Sequence, residues 1–149
     1  MSDRNARPSQ PPSLTSETRA HIRAEHERLE ARIVRVQQSA DAVERREEGA
    51  VQALRRALRD LRVLLRGHLR FEERFLVPAL RENVETGDED ARALLEEHEA
   101  QRGEMDRIIA DLEATGAGAK LLDGARELAR ALLDDMEHEE EAYLRTRGE

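Results

Sequence analysis

The sequence contains no cysteine and no tryptophan. Without thiols there can be neither a disulfide nor a thiolate metal site. Phe71, Phe75 and Tyr143 are the only phenylalanine or tyrosine residues, too few for a base-stacking platform or an aromatic-lined pocket for an organic ligand. The first twenty residues, MSDRNARPSQPPSLTSETRA, hold no apolar run, so no secretory signal or membrane span is expected there and cytoplasmic residence is the default. The net charge is −8 and Lys120 is the one lysine. Arginines alternate with Glu and Asp, the pattern of solvated helix faces and not of a phosphate-binding patch, so neither nucleic acid nor membrane is an expected partner.

Present instead are four long stretches with apolar residues in alternating steps of three and four, the period of helices packed against helices. The first runs Ile22, His26, Leu29, Ile33, Val36, Ala40, Val43. The second runs Leu54, Leu58, Leu61, Leu65, His68, Glu72, Phe75, Ala79, and the third Ala91, Leu94, His98, Gln101, Met105, Ile108, Leu112. A fourth, Leu121, Ala125, Leu128, Leu132, Asp135, is bordered by His138. Residues 1–14, with Pro8, Pro11 and Pro12, read as a disordered lead-in to one domain over 15–149. Thr15 or Ser16 is placed to cap helix 1, over about 16–46. Glu47–Gly49 is the expected turn before helix 2, about 50–82, whose last turns Pro78 should bend. Residues 83–87 form a loop ahead of helix 3 at Asp88, and 115–119 break the chain before helix 4, about 119–147. Short loops and four amphipathic helices imply an all-α, antiparallel up-down-up-down four-helix bundle.

Within that bundle the histidines fall at one level. At 1.5 Å per residue, His26, His68, His98 and His138 all lie about 14–21 Å from the same end. The interval is 42 residues from His26 to His68 and 40 from His98 to His138. One imidazole per helix, converging at one depth, outlines a metal site, since a lone buried polar group is costly unless something pairs with it. His68 and Glu72, four apart on one helix face, can share an ion or bridge two. Nitrogen donors with carboxylate and no thiolate suit iron better than structural zinc. His21 lies off the seam and reads as a surface residue.

The stretch HLRFEERFLVPAL at 68–80, with His26 on helix 1, His98 on helix 3 and His138 on helix 4, resembles the hemerythrin-like (HHE cation-binding) family over nearly the whole chain after residue 16. The resemblance implies a four-helix bundle holding non-haem iron: two irons, oxo- or hydroxo-bridged, or one. His26 and His68 would serve one ion, His98 and His138 the other, with Glu72 between them. Members with a full oxygen-carrier site have a second histidine where this chain has Arg102. Where the family places a carboxylate on helix 4, this chain has Ala142 and Tyr143, and Glu141 is the substitute favoured over Asp134 or Asp135. The expected function is binding or sensing of O2 or a related diatomic or peroxide at a His26, His68, Glu72, His98, His138, Glu141 site. Two alternatives are an enzyme consuming peroxide or nitric oxide at that centre and a metal-poor helical adaptor. No general acid, base or nucleophile is evident apart from the metal, and no protein partner can be named.

Overall fold

The computed structural model describes residues 14–83 and 85–145. Four antiparallel helices form the bundle: α1 (Ser16–Glu44), α2 (Ala50–Arg81), α3 (Gly87–Thr115) and α4 (Ala119–Glu139). A π-helical turn, Glu140–Leu144, continues α4. No strand occurs among the described residues. The expected lead-in lies outside them except for Leu14, which is buried against the bundle.

Local chemistry accounts for the helix ends. Thr15 caps α1 by accepting a hydrogen bond at Oγ1 from the Thr18 amide (3.0 Å), and Glu17 sits in the positive first turn. The α1–α2 connection, 45–49, reverses through left-handed backbone at Arg46 (φ 60°) and Gly49 (φ 77°). Between α2 and α3, the Asn83 side chain accepts from the amides of Glu85 and Thr86, an Asx turn that starts the next helix. Gly87 opens α3 against the end of α2, where a Cβ would collide with the Leu80 carbonyl oxygen. Pro78 lies inside α2, which runs on to Arg81.

The apolar faces fill two separate clusters. The larger spans all four helices and includes Leu29, Ile33, Leu58, Leu65, Leu69, Met105 and Leu132. The smaller, at the end where α2 meets α3, includes Ile22, Leu76, Leu94 and Leu144. Between them every helix changes chemistry. His26 lies between Ile22 and Leu29, and His68 with Glu72 between Leu65 and Leu76. His98 follows Leu94, and Glu139 falls between Met136 and Leu144. The bundle thus has a buried ionisable layer sealed above and below by hydrocarbon. On α2 the buried row after Glu72 proceeds to Leu76 and Ala79, leaving Phe75 half-buried.

Because the Gly87 contact is with backbone, it has little room to relax. Gly87→Ala should lower unfolding stability by about 1–3 kcal/mol, read from urea denaturation. An unchanged midpoint would show that the α2–α3 corner yields easily.

Candidate metal centre

The centre is built around Glu72, which is completely buried. Its Oε1 lies 3.0 Å from His98 Nε2. Its Oε2 lies 2.9 Å from His68 Nε2 and 3.7 Å from His26 Nε2, yet has no hydrogen-bond partner among the described residues. The close approach without alignment means that oxygen and imidazole face the same space instead of each other. From α4, Glu139 Oε1 lies 2.8 Å from His26 Nε2. His26, His68, Glu72 and Glu139 can each offer one donor atom, all within 4.8 Å of one another.

The other ring nitrogen of each imidazole is also held. His26 Nδ1 meets Glu140 at 2.7 Å, His68 Nδ1 meets Glu25 at 2.7 Å, and His98 Nδ1 meets Glu73 at 2.9 Å. Such an outer carboxylate fixes ring orientation, leaves Nε2 facing inward and raises its basicity as a ligand. Arg102 secures one of them, contacting both oxygens of Glu73 at 2.8 Å. At the position where a second helix 3 histidine would stand, this chain therefore has an arginine that steadies His98 through Glu73.

Four of the expected donors come together, and two do not. His26, His68, Glu72 and His98 are buried in one layer, whereas His138 and Glu141 are exposed. His138 instead packs edge-on toward Tyr143, ring centroids 6.3 Å apart. Their placement has a geometric cause. The buried row of α4 is Leu122, Ala125, Leu128, Ala129, Leu132, Met136, Glu139, and His138 is rotated about 100° from Glu139. The π turn then inserts one extra residue, so the inward position after Glu139 falls on Leu144 and leaves Glu141 and Ala142 at the surface. Leu132–Met136–Glu139 keeps the four-three rhythm, so Glu139 was legible in the sequence had that row been followed. The outer carboxylates Glu25, Glu73 and Glu140 had no comparable signal beyond adjacency to the donors. His21 is half-exposed, pairs with Glu25 at 3.2 Å and stacks on Phe71.

Residues 18–146 match the hemerythrin HHE cation binding domain. The chain belongs to this family. Neither a curated protein nor a solved structure matches it. Among the described residues, no helix is long and apolar enough to cross a membrane.

The residues present fit a cation. A buried carboxylate oxygen with no hydrogen-bond partner among the described residues, inward-facing imidazoles and two adjacent carboxylates are costly without one. In the metal-free protein, protons take that place. Burial alone would lower His26, but Glu139, Glu72 and Glu140 raise it to about 10. His68, likewise opposed by burial, is raised to about 9 by Glu25 and Glu72. Burial and then Glu72 push Glu139 well above the carboxylate range. Glu72 is held well below it, against its own burial, by Glu139 and the three histidines.

For His26 and His68, raised from an unfolded value near 6.5, the stabilisation is complete below about pH 6.5. It is lost as pH rises through about 9 and 10. Glu139 acts in the same sense. Chelator-treated protein should therefore lose stability from pH 6.5 to 10, while cation affinity rises over that range because the ion displaces protons. Denaturation at several pH values checks both trends, and an apo protein that gains stability toward pH 10 would contradict this charge arrangement. Glu139→Ala should weaken metal binding by more than about 100-fold, whereas His138→Ala and Glu141→Ala should leave it unchanged, all read by metal titration.

Proposed function

We propose that the buried layer holds non-haem iron and binds O2 or a related small oxidant. His26, His68, Glu72 and Glu139 hold one ion. Two histidines with carboxylate and open positions are the donor pattern of ferrous oxygen-handling sites. The observation that carries the reading is a chamber of about 20 Å³ against this layer, room for about one water-sized molecule. It is lined by His68, Glu72, His98 and Glu139 and by the hydrocarbon of Leu29, Ile33, Leu65, Leu69, Leu132 and Met136, with Glu97, Gln101 and Asp135 on the α3–α4 side. Such a wall favours a small, weakly hydrated guest over an organic substrate.

The chain's own contribution is positional. Glu25, Glu73 and Glu140 orient the imidazoles, and the apolar clusters on either side exclude bulk water. Bound iron would supply reversible electron donation to the guest. A second reading has two ions sharing Glu72, with His98 on the second, and is favoured by His98 Nε2 lying 3.0 Å from Glu72 Oε1. The exposure of His138 leaves that second position poor in donors, so the one-ion form fits better.

The test is anaerobic loading with ferrous iron, metal analysis and a visible spectrum recorded before and after O2 is admitted and removed. About one iron per chain with a reversible spectral change is expected. Two irons would establish the Glu72-bridged form, sustained O2 or peroxide consumption would make the protein an enzyme, and failure to bind iron would return it to a structural role. Leu132→Phe, which intrudes on the chamber, should weaken the O2-dependent change by about tenfold without altering iron content.

A further inference from the structure

The chamber beside Glu72 shares part of its wall with the outside of the bundle. Glu97, Gln101 and Asp135, which form part of its wall, also line a groove of about 350 Å³ on the outside of the seam between α3 and α4. Gln101 donates from Nε2 to Asp135 Oδ2 (2.9 Å), and Glu97 lines the same two spaces as Asp135. Farther out the groove carries Glu104 and Glu127, and the small side chains of Ala100 and Ala131 leave its floor open. Among the described residues no lysine or arginine lines it, although Arg107 pairs with Glu104 from outside.

The other approaches to the centre differ. Between α2 and α3, Glu73 is clamped by Arg102. On the α1–α2 side, Glu25 is engaged by His68 and flanked by His21 and Arg28. Glu140 is engaged by His26. Along the α3–α4 seam, inward of the Glu104–Arg107 pair, no lysine or arginine among the described residues lines the way from the groove to the chamber. At the inner end stands Glu72, fully buried, with an oxygen that has no hydrogen-bond partner among the described residues.

We propose that the α3–α4 groove is the route by which divalent cations reach the centre, with Glu97 and Asp135 as a transit site at its neck. The proposal rests on the metal-binding reading of the cluster. A hydrated cation is drawn into an acidic, low-dielectric cleft because field lines concentrate there. At the neck, paired carboxylate oxygens and the Gln101 carboxamide replace part of the water shell, the kind of ligand hard cations accept. Glu72 and Glu139 lie beyond, and the imidazoles complete the transfer from oxygen to nitrogen donors. The groove thus governs the rate of loading, while the centre governs affinity.

Stopped-flow loading of the chelator-treated full chain with Co2+, followed by its visible absorption, separates rate from affinity. Glu127→Lys reverses charge in the groove, Ala131→Phe obstructs it, and Glu30→Lys makes the same charge change on the exposed face of α1. Both groove variants should load about tenfold more slowly, reach the wild-type Co2+ content at equilibrium, and leave Glu30→Lys indistinguishable from wild type. Added salt should slow wild type more than Glu127→Lys, because it screens the groove's field. Groove variants loading at the wild-type rate, in a wild type that binds Co2+, would overturn the route alone. A wild type that takes up no Co2+ would overturn the route together with the metal reading.

Discussion

A carboxylate with no access to water is the constraint on which this structure depends. Glu72 contacts imidazoles from α1, α2 and α3, and its neighbour Glu139 comes from α4. A charge so placed would be strongly destabilising by itself, so the surrounding groups are there by necessity. They serve as hydrogen-bonding and ionic partners when protonated, and as donors to a cation when not. The same geometry therefore serves two states, and which one prevails is a matter of pH and metal concentration.

The layered construction explains how such a centre survives in a small bundle. Hydrocarbon above and below the ionisable layer keeps its dielectric low, which strengthens each imidazole–carboxylate contact. The outer carboxylates then lock the rings so that the inward nitrogens do not turn away. Glu73 illustrates the reach of this scheme: Arg102 at the surface orders Glu73, and Glu73 orders buried His98. Surface ion pairs farther along the bundle, such as Arg66 with Asp106, are solvent-screened and contribute little by comparison.

The centre is also lopsided, and that asymmetry bears on function. His26 and His68 stand on one side of Glu72 with Glu139, whereas His98 stands on the other with no histidine from α4 opposite. The chamber, lined by His68, Glu72, His98, Glu139 and Met136, lies against both sides. Apolar side chains, Met136 among them, stand beside the donors there. The α3–α4 seam, with its acidic groove, shares Glu97, Gln101 and Asp135 with the chamber wall.

Much of this was determined by the sequence alone. Four helical seams, the short connections and the burial of His26, His68, Glu72 and His98 follow from spacing, because a residue in the apolar row of an amphipathic helix must face the core. Helix 4 was legible only in part. Its apolar residues permit two neighbouring rows, one passing beside His138 and one ending on Glu139, and local periodicity does not choose between them. Packing of Leu132, Met136 and Leu144 against the other helices made that choice: with Glu139 facing inward His138 is turned outward, and the π turn that follows leaves Glu141 at the surface. The outer carboxylates and the groove were likewise decided by tertiary structure, because a charged residue on a helix flank is solvated or engaged according to which helix lies beside it.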